Sequence, residues 1–194
     1  LEFGIQVYPV AGGMTTKGHG LGSRSFQTLT KPNVMMLVEG TVSSYEAGEV
    51  WHLFEKRMKI PLVKVPERRL YLTDIYRYNV IIMVSGSYRL LNKIEKDRLR
   101  QWVADGNTLI TTAKGSSWAV KQKIAEEILI SPKTDTLSHT IRTNYGKAKG
   151  SIEKHRLGGA IFAIDLDITH PIAYGYHDRI LPVYKNNRVW LAPS

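Results

Sequence analysis

Between residues 33 and 130 short apolar runs alternate with longer amphipathic segments, and this constrains the fold more than any other feature. The runs are "NVMMLV", "IPLVKV", "YNVIIMV" and "NTLI"; the amphipathic segments are "TVSSYEAGEVWHLFEKRM", "LLNKIEKDRLRQWVADG" and "SSWAVKQKIAEEIL". In the first segment Ala47, Val50, Trp51, Phe54 and Met58 fall at i, i+3, i+4, i+7 and i+11, one stripe of a helix. Ser43 and Glu46 read as a capping box at its start. In the second, Leu91, Ile94, Leu99, Trp102 and Val103 share a face, with Asn92 as the cap and Gly106 just past the end. Strands that are apolar throughout, rather than alternating, need cover on both faces. Interleaved with helices, they predict an open, doubly wound α/β fold with a mostly parallel sheet.

The flanks read differently. Residues 1–32 hold six of the sixteen glycines, with only "IQVYPV" resembling a strand, and are expected to be an arm or connector from a preceding domain. Residues 33–194 are expected to form the α/β domain, truncated at its C-terminus, since the chain starts at Leu1 without a leader-like segment and stops just after "RVWL". Residues 131–158 are polar and carry no clear period. "GAIFAIDLDI" and "RVWLA" read as further strands, joined by "THPIAYGYHDRILPVYKN". A chain of 194 residues, 43% hydrophobic, accommodates one well-buried domain plus such an arm. No window reaches the roughly 18–20 apolar residues of a membrane span.

Cysteine is absent, which excludes disulfides, thiolate metal ligands and a cysteine nucleophile. The formal charge is +10, and between residues 114 and 156 nine Lys and Arg face four acids. A polyanion-binding module is one reading of that excess. No basic run is interleaved with aromatic residues, so a solvated face is the simpler account and no nucleic-acid partner is expected.

In a doubly wound sheet, ligands sit beyond the carboxyl ends of the strands. The loops there are "VEGTVSSYE", "SGSY" and "AKGSSW", which put Glu39, Ser43, Ser44, Glu46, Ser85, Ser87, Tyr88, Lys114, Ser116 and Ser117 around one predicted crevice. Several have plain structural duties in prospect: Ser43 and Glu46 in the capping box, Ser116 as an N-cap. "ITTAKGSSWAV" reads as a buried strand bending into a helix, the setting of a nucleophile elbow. It lacks the flanking glycines of GxSxG, however, and the nearest candidate base for Ser116 or Ser117 is His170. An active serine hydrolase built on those residues is the alternative enzymatic reading. His52 and Glu55 have the HxxE spacing of zinc carboxypeptidases but no identifiable third ligand, whereas catalytic zinc needs three. His19, His139, His155 and His177 show no ligand spacing, and no metal is expected in this chain.

The stretches "VEGTVSSYEAGEVWHLFEKRMKIPLVKV", "SGSY", "ADGNTLITTAKGSSW" and "THPIAYGY", with the lead-in "YPVAGGMTTKGHGLGSRSF", resemble the C-terminal region of large bacterial zinc carboxypeptidases of the carboxypeptidase A-like family. That region is similar to a class I glutamine amidotransferase domain. The resemblance implies a flavodoxin-like sheet and an exported parent, periplasmic or secreted, that removes C-terminal residues from peptides. It also implies an N-terminal peptidase domain as partner, holding the zinc. Active amidotransferases place a cysteine at the elbow with a downstream His and Glu; the corresponding stretch here is Thr112, Ala113, Lys114 and Gly115. None of these replaces a thiolate, and a lysine in an open helix-start loop lacks the burial that an amine nucleophile needs. The expectation is a noncatalytic accessory domain, with no catalytic residues of its own, presenting its crevice to a peptide, glycan or partner.

Overall fold

The computed structural model describes residues 8–26, 30–130, 159–186 and 189–192. The chain divides into two compact units, Leu1–Pro32 and Asn33–Ser194. The described part of the first holds no helix or strand; it is organised by turns such as Leu21 N–H to Gly13 O, 2.7 Å, and Ser23 N–H to Gly20 O, 2.9 Å. Residues 8–10 of the expected strand "IQVYPV" are irregular, and residues 5–7 lie outside the described residues.

The second unit is built on β1 (Val34–Val38), α1 (Ser44–His52), β2 (Leu62–Pro66), β3 (Val80–Met83), α2 (Lys93–Ala104), β4 (Thr108–Thr111) and α3 (Lys114–Lys121). The four strands pair in parallel in the order β2-β1-β3-β4. Successive strand residues point to opposite faces, which divides the apolar runs between two cores. Met35, Leu37, Ile81 and Met83 pack with Leu99 and Trp102 of α2 and Trp118 of α3. Val34, Met36, Ile82 and Val84 pack with Ala47, Val50 and Phe54 on the α1 side. Helices therefore cover both faces of a parallel sheet, and this is why β1 and β3 carry no polar alternation. Burying each such Leu, Ile or Met side chain contributes roughly 1.5–3 kcal/mol.

α2 begins with a complete capping box: Asn92 Oδ1 accepts the Glu95 N–H at 3.0 Å and Glu95 returns a carboxylate to the Asn92 N–H at 2.7 Å. Leu91, Leu99 and Trp102 are buried as the period predicts, whereas Ile94 points to solvent. The Trp102 indole donates to Tyr78 O, 3.1 Å, and Arg98 donates to Leu70 O and Thr73 O, so α2 also holds the β2–β3 connection, two 3₁₀ turns that bury Leu70 and Ile75.

Four local expectations are corrected. The α1 stripe runs out because Leu53–Met58 winds as a π-helix; its wider turn advances each residue by a smaller angle, and Met58 is exposed instead of sharing the apolar face of Ala47 and Phe54, while Trp51, still within α1, is also exposed, with the Lys64 ammonium 3.7 Å above its ring. β4 is an edge strand, not a buried one, and Ile110 is 42% exposed. α3 stops at Lys121, eight residues before the predicted end. Lys123 takes φ +56°, Lys123 N–H bonds Val120 O at 2.9 Å and Ile124 N–H bonds Ala119 O at 3.0 Å, a Schellman stop in which Ile124 turns back onto the core. Finally, the last strands are β5 (Ala160–Asp165) and β6 (Ile180–Lys185), an antiparallel pair closed by a bidentate Arg179–Asp165 contact at 2.8 Å. β6 thus forms within the expected connection, while the described part of "RVWLA", residues 189–192, lies against residues 128–130 through the Leu191–Leu129 bridge, with Ile130 N–H on Trp190 O and Ala192 N–H on Ile128 O, both at 2.9 Å.

Candidate functional site

Beyond the carboxyl ends of β1, β3 and β4 lies a crevice of about 430 Å³, lined by residues 40–43, residues 85–87, Arg89 and Lys114. Its walls are stitched together by backbone: Ser43 N–H donates to Ser85 O at 2.8 Å, Ser87 N–H donates to Thr41 O at 3.3 Å, and Val42 bridges Gly86. Of the predicted site residues, Ser43, Ser85, Ser87 and Lys114 line this crevice. Glu39 and Ser44 are exposed beside it. Glu39 takes φ +61° and is followed by Gly40 at φ +60°, so the chain leaves β1 through a left-handed bend.

Glu46 has a different task from the one its spacing suggests. Ser43 Oγ does accept the Glu46 N–H, at 3.5 Å, but the Glu46 carboxylate is not returned to the cap. Oε2 instead accepts the Ser85 N–H at 3.0 Å and the Thr112 hydroxyl at 3.2 Å. One carboxylate on α1 therefore ties the ends of β3 and β4 together.

Tyr88 is fully buried rather than facing the crevice. Its hydroxyl donates to Val84 O at 2.6 Å and its ring packs against Trp118, 5.3 Å between centroids. Burial, with the Glu67 and Glu46 carboxylates adding to it, pushes its hydroxyl far above the ordinary tyrosine value. Gly86 is glycine because a Cβ there would stand 2.9 Å from the Tyr88 ring and 3.2 Å from Thr41 O.

The organising residue that sequence reasoning missed is Glu67. It is fully buried, yet its carboxylate is satisfied on both oxygens. Oε2 accepts the Thr41 N–H and hydroxyl at 2.8 and 2.9 Å, and Oε1 accepts the Leu90 N–H at 2.9 Å. In "VPERRLYL" it looks like one more charge on a polar surface. The available signal was its place at the carboxyl end of β2, next to the crevice loops.

At the elbow after β4, Ala113 adopts φ +45°, ψ −116° and serves as the residue preceding α3, with no side-chain cap. Ser116 is therefore not the N-cap: it lies within the first turn, accepting from Thr111 Oγ1 at 3.0 Å, and Ser117 is half-buried one residue on. Gly115 permits the bend, because a Cβ there would meet Met83 O at 2.4 Å and Val84 O at 2.7 Å. This is the geometry of a strained strand-to-helix elbow. The residue at its apex carries a methyl group.

His170 lies in the β5–β6 hairpin, where its Nδ1 accepts the Ile172 N–H at 3.2 Å at the start of a 3₁₀ turn (Pro171–Ala173); no described hydrogen bond joins it to Ser116 or Ser117. His52 ends α1 on the exposed side and Glu55 sits in the π-helical turn. Among the described residues no three His, Asp or Glu side chains converge on a metal-sized site, and no helix is long and apolar enough to cross a membrane. His19 and His177 are exposed. His139, His155 and the basic residues Lys133, Arg142, Lys147, Lys149, Lys154 and Arg156 lie outside the described residues, and with them most of the stretch read as a polyanion site. No protein-family model, curated protein or solved structure matches the chain.

Proposed function

We propose that residues 33–194 form a noncatalytic, class I glutamine amidotransferase-like domain that holds a ligand or partner in the crevice without covalent chemistry. The observation that carries this reading is Ala113: a strained φ/ψ pair, of the kind stored at functional sites, at a strand-to-helix bend whose apex bears no nucleophile. The order β2-β1-β3-β4 agrees with the first four strands of a flavodoxin-like sheet, whose ligand site falls at the β1/β3 switch point. The Ser43–Ser85 and Ser87–Thr41 links stand at that point.

The resemblance of "SSYEAGEVWHLF" and "THPIAYGY" to large bacterial zinc carboxypeptidases supports an accessory role in an exported peptidase. In such a parent the zinc and the peptide-cleaving residues belong to the N-terminal domain. The serine-hydrolase alternative gains nothing from the geometry, since no described hydrogen bond joins His170 to Ser116 or Ser117 and its Nδ1 accepts the Ile172 N–H within its own turn.

A serine-directed fluorophosphonate followed by intact-mass analysis tests the reading. An unmodified chain is the expected result. An adduct mapped to Ser116 or Ser117 would refute it.

A further inference from the structure

We infer that the crevice takes a small oxyanion, a carboxylate or a phosphate monoester, held between Arg89 and Lys114. The inference rests on reading the crevice as a noncovalent binding site. Its lining presents donors. Arg89 gives Nε to Ser87 Oγ at 3.2 Å, and its guanidinium makes no other hydrogen bond or ion pair among the described residues, so the terminal nitrogens remain open to a ligand. Lys114 has no hydrogen-bond or ion-pair partner among the described residues. The Ser43 and Ser87 hydroxyl oxygens already accept, from the Glu46 N–H and from Arg89, which leaves each hydroxyl proton to be donated.

Among the described residues no carboxylate lines the crevice. Glu46 and Glu67 behind it turn their carboxylate oxygens to donors from Ser85, Thr112, Thr41 and Leu90, and Glu39 is exposed beside it, so Arg89 and Lys114 are the charged side chains of the lining itself. A wall of donors with two positive charges selects a ligand that only accepts, and a planar guanidinium is suited to carboxylate or phosphate oxygens. A volume of about 430 Å³ is within the range of small-molecule sites.

The test is isothermal titration calorimetry of the full chain in low salt, with inorganic phosphate and, separately, N-acetylglycine as probes, on the wild type, Arg89→Gln and Lys114→Gln. Both side chains are exposed, so the variants should keep the wild-type circular dichroism spectrum. The expected result is saturable wild-type binding of at least one probe, weakened ten-fold or more in each variant. Binding of phosphate alone points to a phosphate monoester, and binding of N-acetylglycine alone to a carboxylate. Absence of saturable binding of both probes, or equal binding by the variants, overturns the inference. A fluorophosphonate adduct would instead sink the noncovalent reading while leaving the calorimetric result intact, so the two failures are distinguishable.

Discussion

Glu67 Oε2 accepts both the backbone N–H and the hydroxyl of Thr41, at 2.8 and 2.9 Å, while its other oxygen takes the Leu90 N–H. The loops that follow β1 and β3 are thereby pinned from below by one buried carboxylate carried in from the end of β2. Glu67→Gln replaces an acceptor with an amide that brings a donor against donors, whichever way it turns. Leaving buried polar groups unpaired costs roughly 1–3 kcal/mol, more for charged ones. A fall of that size in urea-derived stability is expected. An unchanged urea midpoint would show that the carboxylate is dispensable.

Ala113 should respond to glycine in the opposite sense from an ordinary alanine. At a position glycine adopts without strain, relief of roughly 1–3 kcal/mol competes with the roughly 0.4–1 kcal/mol entropy cost of a freer unfolded chain. Ala113→Gly is expected to raise stability by about 1 kcal/mol, read as a higher urea midpoint. A lower midpoint would mean that φ +45° is not strained in this setting.

Gly115→Ala should be among the most damaging substitutions in the chain. The added methyl would lie 2.4 Å from Met83 O and 2.7 Å from Val84 O, backbone atoms of the last residue of β3 and the one after it, so no side chain can swing aside. Overpacking costs typically 1–3 kcal/mol and occasionally more; a loss of about 3 kcal/mol or failure to fold is expected, measured by denaturant titration.

Tyr88 links stability to alkaline pH. Its folded-state pKa is raised, chiefly by burial, so the folded chain holds the phenolic proton more tightly than the unfolded one. The resulting stabilisation is complete below the unfolded value of about 10 and is lost as pH rises above it. Tyr88→Phe removes that titration and leaves Val84 O without its donor, costing about 1 kcal/mol near neutrality. Urea midpoints should therefore favour the wild type at pH 7, with the gap narrowing or reversing by about pH 11.

The sheet and its two larger helices were legible because their signals are summed over many residues. β1 and β3 are apolar on both faces since both faces are covered, and Asn92 with Glu95 signs the start of α2 as an exchange of two hydrogen bonds. What escaped were decisions taken by single contacts across the fold. The spacing of Glu46 matches a capping box, yet Ser85 and Thr112 compete successfully for its carboxylate. Glu67 carries no local signal, since nothing in "VPERRLYL" announces that Thr41 and Leu90 will reach it. The α3 terminus hinged on Lys123 accepting a left-handed conformation, a place where glycine is the usual marker. At the site, the crevice loops and four of their side chains were readable from strand ends, while the inward turn of Tyr88 followed from its own left-handed φ of +45°.

A crevice without covalent chemistry requires the bend at Ala113 to keep its shape, and alkylation of Ala113→Cys probes it. A thiol at that apex, immediately ahead of α3 and beside Lys114, sits where a helix N-terminus and a cation stabilise a thiolate. Intact-mass kinetics with iodoacetamide at neutral pH should show Cys-dependent modification faster than that of Thr108→Cys on the exposed edge of β4, while the cysteine-free wild type stays unmodified under the same brief exposure. Equal or slower alkylation of Ala113→Cys would contradict a preserved elbow.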